Sequence, residues 1–189
     1  MTQYRHGYRN VDSRYPPMWE LSSQPAARWH AAGDGPVQYL ADTPDGAWAE
    51  FLRHEEITDP ADLAGVLRSL WAVEVPTAHL DSAHDATGAP IDLLGTLNSY
   101  PQCQAYARTV RDVGAETLVA PSAALHAGGA RGQVVDGTLV EAKSMDGMVW
   151  VLFGVRSELR CWRVVERGAP DARVLSLVRP LVGRRPRVA

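Results

Sequence analysis

The sequence predicts a single compact α+β domain, with helices mainly in the first half and antiparallel strands in the second. Three observations predict it. The chain has 189 residues, a length that suits one domain. Two segments with helix start or stop signals, at about 43–55 and 101–113, precede residue 114. From residue 117 onward, short apolar runs alternate with Gly-, Asp- and Pro-rich turns, which is the pattern of strands. Helices gathered in one part of a chain and strands in another give the α+β class.

Residues 1–35 hold little periodic apolar pattern. The first 13 are expected to form an edge or a loop. Residues 13–35 are expected to form an ordered loop over the first strand, because Tyr15, Trp19 and Trp29 seek burial. Gly35-Pro36 then punctuates the start of a strand at 37–41. Thr43-Pro44-Asp45 supplies an N-cap, a proline at the first helical position and an acid in the first turn. That helix should reach about Glu55 and bury Ala47, Trp48, Phe51 and Leu52, leaving Glu50, Arg53 and His54 off the centre of the stripe.

Thr58-Asp59-Pro60 predicts a second, shorter helix through Leu67, followed by a strand at 70–75. Residues 76–90, rich in His, Asp, Ser and Ala, read as a loop, and 91–94 as a short strand. The 101–113 helix presents Cys103, Ala107 and Val110 on one stripe, with Gly114 as its stop. Strands are expected at about 117–120, 132–136, 148–154, 160–166 and 173–178. The basic tail at 183–187 is expected to fray.

Composition excludes several function classes. Net charge is −3, so the chain carries no nucleic-acid footprint. No apolar stretch approaches the ~18 residues of a membrane span, and Met1-Thr2-Gln3-Tyr4-Arg5-His6 lacks a signal-peptide core. Cys103 and Cys161 have no CxxC spacing and read as reduced structural thiols of a cytoplasmic protein. The run His79-Leu80-Asp81-Ser82-Ala83-His84-Asp85 matches no metal template, so no metal is expected.

Four residues could carry chemistry. Arg28 can bind a phosphate through both arms of its guanidinium, or stack on Trp29 at the surface. Tyr39, in mid-strand, either packs locally or orients a base or ribose. Glu50 is either a solvated helix carboxylate or a group that grips ribose hydroxyls and stabilises an oxocarbenium-like transition state. Ser122 ends the apolar run before it and is either a turn residue or a pocket residue at the strand's carboxyl end. No GxSxG surrounds it, which argues against a nucleophile-elbow hydrolase. Gly128-Gly129-Ala130-Arg131-Gly132 lacks the Walker lysine and reads as a turn.

Taken together, these segments resemble the RES domain family. Arg28-Trp29 with Gly33 looks like its Arg-Trp-x-x-x-Gly signature. The run Pro36-Val37-Gln38-Tyr39-Leu40-Ala41, then Ala47 and Glu50, is similar to its tyrosine strand and Ala-x-x-Glu helix. Pro121-Ser122 looks like its late Pro-Ser motif, so the match covers about 14–154. This chain differs in having Ala26, Ala27 and His30 around the Arg-Trp pair, where the family usually has Gly-Gly and Asn. It also has Ala124 where an arginine is frequent.

The resemblance implies a fold related to ADP-ribosyltransferase toxins. It implies an enzyme that consumes NAD+ by breaking the nicotinamide–ribose bond, with phosphate or water as acceptor and no resident cofactor. It further implies a toxin of a toxin–antitoxin pair, neutralised by an Xre-type antitoxin, as a homodimer or a hetero-oligomer with that partner. On this reading Arg28, Tyr39, Glu50 and Ser122 form the catalytic set, with Trp29 and Arg53 beside them at the substrate. The rival expectations are a protein ADP-ribosyltransferase and a catalytically weak interaction module.

Overall fold

The computed structural model describes residues 2–19 and 24–181. Its main feature is a seven-stranded sheet in the order β4-β5-β8-β2-β1-β3-β9. The strands are β1 (Tyr4–Asp12), β2 (Val37–Ala41), β3 (Arg68–Pro76), β4 (His84–Asp85), β5 (Thr117–Pro121), β8 (Met148–Phe153) and β9 (Cys161–Gly168). All neighbours pair antiparallel except β4 and β5. Two further strands, β6 (Gln133–Asp136) and β7 (Thr138–Glu141), form a separate hairpin. Helices α1 (Pro44–Glu55), α2 (Thr77–Asp81) and α3 (Tyr100–Asp112) complete the mixed α/β architecture. Among the described residues, no helix is long and apolar enough to cross a membrane.

The sheet is not evenly zipped. β1 pairs with β3 along its whole length, from Tyr4↔Pro76 to Asp12↔Arg68. It meets β2 at the single pair Tyr8↔Ala41. Gly7 is what allows even that crossing: a Cβ there would stand 2.8 Å from Leu40 Cβ and 3.0 Å from Trp150 Cε3. Beyond the crossing, the backbone of Val37 is paired by the side-chain amide of Gln24, which both donates to its carbonyl and accepts from its N–H. The sheet therefore splays between β1 and β2.

Side-chain alternation along β2 places the helices. Val37 and Tyr39 pack with Cys103, Ala107 and Val110 of α3, and Ala41 packs with Ala47, Trp48 and Leu52 of α1. Both helices thus cover the same face. Leu40 points to the other face, among Val73, Val75, Trp150 and Leu152. The space between α1 and α3, above the splay, is where the site forms.

The α1 boundaries follow from local chemistry. Thr43 Oγ1 accepts from the Gly46 N–H at 3.1 Å, and Glu56 closes the helix in the left-handed conformation. The 37–41 strand, the α1 span and the α3 stripe match the sequence expectation. Both cysteines are free thiols.

Several expectations are corrected. Within 1–13, Tyr4–Asp12 is neither an edge nor a loop: β1 lies inside the sheet, between β2 and β3. Tyr15 and Trp19 are not buried; each is 49% exposed and they pack on one another. The 60–67 helix is a 3-10 turn, Pro60–Gly65, capped by Asp59. Within 76–90, Pro76 leads into α2 and β4, while 91–94 forms no strand. The expected strand at 173–178 is a 3-10 turn, Ala172–Leu177. Its reason is capping: Asp171 accepts from the Arg173 N–H at 2.8 Å, and Arg173 then pairs with Asp45 at the start of α1. The 183–187 tail lies outside the described residues.

Candidate active site

The segment before β2 is held by a chain of hydrogen bonds centred on Tyr39. The Trp29 N–H donates to the Tyr39 hydroxyl at 3.0 Å. That hydroxyl lies 2.9 Å from His30 Nδ1, and His30 Nε2 lies 2.8 Å from the Pro25 carbonyl. A carbonyl only accepts, so Nε2 carries the proton and Nδ1 receives the Tyr39 proton. Burial lowers the His30 pKa, which suits a neutral ring, and withdrawal from water raises that of Tyr39. Gly33, at φ 89°, then turns the chain toward β2.

Arg28 does not stack on Trp29 at the surface. It is 8% exposed, over the ring of Tyr100 with 4.9 Å to the centroid, while Trp29 is core. Its arms donate to Ser99 Oγ at 2.9 Å and to the Gly95 carbonyl at 2.6 Å. Cys103 lies beneath, its thiol pushed up by burial. Arg53, on α1, is 4% exposed and donates to the Ala123 carbonyl and, at 3.0 Å, to the same Gly95 carbonyl. Burial lowers its pKa, with Glu50 pulling the other way. Neither arginine forms an ion pair with a carboxylate among the described residues.

Glu50 stands one helical turn before Arg53 and His54. Ser122 Oγ donates to its Oε1 at 3.2 Å, and the Ala124 and Leu125 N–H groups donate to that Oγ at 3.2 and 3.3 Å. Glu50 Oε2 lies 3.9 Å from His54 Nε2. A buried cationic pair, a carboxylate fixed from below and an aromatic wall therefore converge from α1, α3, β2 and the turn after β5.

The family described as the RES domain matches residues 3–135, most of the chain. This chain belongs to the RES domain family. It is also 34% identical over 103 residues to a Mycobacterium tuberculosis protein named as a probable NAD(+) phosphorylase. That match covers 52% of this chain and 48% of the relative, so the chain spans about half the length of the curated relative it matches.

In this RES domain the pocket holds about 300 Å3, at the small end for ligand sites. Arg28, Trp29, Tyr39, Glu50 and Arg53 all line it. Ser122 does not: it is 4% exposed and reaches the pocket through Glu50, while its neighbours Pro121 and Ala123 form wall. Tyr39 presents its ring, its hydroxyl being engaged with Trp29 and His30.

Sequence reasoning did not single out Tyr100, the Gly95 carbonyl or Ser99, nor Tyr8, Arg9 and Asn10 of β1 and Arg68 of β3. The pairing of Tyr100 with Pro101 marks a helix start and hides its role as the platform for Arg28. His30 supplies what an amide would at that position, one donor and one acceptor. Ala124 is fully buried against Ala49 and Leu125 of the core, where an arginine side chain would have no room.

Proposed function

We propose that this RES domain cleaves the nicotinamide–ribose bond of NAD+, transferring ADP-ribose to phosphate or water. The observation that carries the reading is the joint placement of Glu50 and the two buried arginines. Among the described residues Arg28 and Arg53 have no carboxylate ion-pair partner, and they suit the pyrophosphate, which supplies bidentate anionic oxygens. Glu50, oriented by Ser122, suits ribose hydroxyls and the positive charge that develops at the anomeric carbon. Membership of the RES family and the name of the mycobacterial relative support the same substrate.

The bond to nicotinamide breaks with its electron pair passing to the ring nitrogen, which becomes neutral. No general acid is needed, so positioning and charge stabilisation carry the rate. Tyr39 and Trp29 form the wall against which nicotinamide or its ribose is placed. No resident cofactor takes part in this scheme. The same reading includes a fold related to ADP-ribosyltransferase toxins, and the activity suits a cytoplasmic toxin held in check by an Xre-type antitoxin over the pocket.

The test is incubation of purified protein with NAD+, with and without inorganic phosphate, and resolution of products by chromatography and phosphorus NMR. Nicotinamide release with a phosphorylated ADP-ribose formed only when phosphate is present is the expected result for a phosphorylase. ADP-ribose in both conditions marks a glycohydrolase. Label from NAD+ appearing on a protein band would replace this reading with protein ADP-ribosylation. NAD+ intact throughout, with folded protein, would remove it.

A further inference from the structure

Hydrolysis of NAD+ by the scheme above leaves one proton without a destination, that of the attacking water. We propose that His54 receives it and thereby sets whether water can serve as acceptor; this rests on the NAD+-cleaving reading.

The stereochemistry of the substrate gives the direction of attack. In β-NAD+ the nicotinamide lies on the opposite face of the ribose from the 2- and 3-hydroxyls. A carboxylate that grips those hydroxyls therefore stands on the face from which an acceptor arrives for displacement with inversion. Whatever lies beside Glu50 lies beside the acceptor.

His54 is that neighbour. It follows Glu50 by one turn of α1, so the helix itself fixes their spacing. Its Nε2 is 3.9 Å from Glu50 Oε2, too long for a direct hydrogen bond and wide enough for one oxygen to contact both groups. The side chain is 53% exposed and lines the pocket, so a proton taken up there can leave to solvent.

The other groups are committed. Arg28 and Arg53 can only donate. The Tyr39 hydroxyl gives its proton to His30, and Ser122 gives its own to Glu50. Glu55 lines the same pocket but lies near Arg68, whose charge it offsets.

The step balances without another reagent. The water oxygen bonds to the anomeric carbon, the bond to nicotinamide breaks with its electrons going to the ring nitrogen, and the water proton passes to His54 Nε2. The imidazolium formed is held against the Glu50 carboxylate until it releases its proton. Hydrogen phosphate arrives as an anion and needs no proton removed, so phosphorolysis asks no proton transfer of His54.

The test is product partition. Wild type, His54→Gln and His54→Ala are given NAD+ with and without phosphate, and ADP-ribose is measured against phosphorylated ADP-ribose. Both variants are expected to lose roughly 100-fold in hydrolysis, the lower range for a lost general base, and far less in phosphorolysis, so that the product ratio shifts toward phosphorylated ADP-ribose. Added imidazole should restore hydrolysis to His54→Ala. Equal loss of both products, unchanged hydrolysis, or a wild type that only phosphorolyses would overturn the assignment while leaving NAD+ cleavage in place. A folded wild type that leaves NAD+ intact would remove both readings.

Discussion

Arg28 and Arg53 donate to one and the same oxygen, the Gly95 carbonyl, at 2.6 and 3.0 Å. One arginine comes from the segment before β2 and the other from α1, and both are buried. A neutral carbonyl holds two cations less well than an anion does, because charge-assisted hydrogen bonds are roughly twice as strong as neutral ones. The free pocket thus keeps positive charge that a phosphate oxygen can answer.

Removing Arg53 should therefore weaken phosphate-bearing ligands more than it disturbs the fold. A hydrogen bond to a charged group contributes about 1.5–3 kcal/mol, so Arg53→Met should bind ADP-ribose roughly ten-fold or more weakly. Calorimetric titration of ADP-ribose into the folded variant measures it. Arg53→Lys should restore the charge but not the two-carbonyl geometry, and should fall between the two.

Glu50→Gln keeps the shape and an oxygen to accept from Ser122, and removes the negative charge. NAD+ cleavage is expected to drop by about 100-fold or more, the range seen when one electrostatic stabiliser is lost, with an unchanged melting temperature. Wild-type turnover in this variant would exclude Glu50 as the charge that stabilises the transition state.

Much of this arrangement was legible in the sequence, and the exceptions share a cause. Thr43-Pro44-Asp45 marks the start of α1 and so places Glu50, Arg53 and His54 on successive turns of one helix. The Cys103, Ala107 and Val110 stripe places α3. β1 escaped because its sequence, Tyr-Arg-His-Gly-Tyr-Arg-Asn-Val-Asp, lacks apolar alternation; Tyr8, Arg9 and Asn10 contribute to the pocket lining, and Tyr8 also packs against the cluster of Ala41 and Trp48. The Gly95 carbonyl escaped because a backbone oxygen leaves no residue signature. Ala172–Leu177 escaped because its apolar residues serve a capped 3-10 turn that docks on α1, not a strand.

Gly7 offers a test of the splayed sheet. Gly7→Ala puts a Cβ 2.8 Å from Leu40 Cβ and 3.0 Å from Trp150 Cε3, both in the core below the β1–β2 crossing. Overpacking of this kind costs about 1–3 kcal/mol, and thermal unfolding should register it as a lower melting temperature. Since the crossing sets the gap that the pocket occupies, the KM for NAD+ should rise as well. A variant as stable as wild type would mean that the strands separate there without penalty.

The Tyr39–His30 pair makes stability depend on acid. Burial lowers the His30 pKa in the folded state, so the unfolded chain takes up the proton first as pH falls. The stability contributed by the neutral ring is complete above the ordinary histidine value of about 6.5 and declines as pH falls from there through the lower folded value. Tyr39→Phe removes the acceptor of the Trp29 N–H and the donor to His30 Nδ1 together. It should cost about 1–3 kcal/mol at neutral pH, measured by denaturant unfolding. Without the hydroxyl, Nδ1 no longer has a partner that favours the neutral ring, so the loss of stability on acidification should be shallower than in wild type. Parallel acid limbs in the two proteins would show that solvent exclusion alone, not the tyrosine, keeps His30 uncharged.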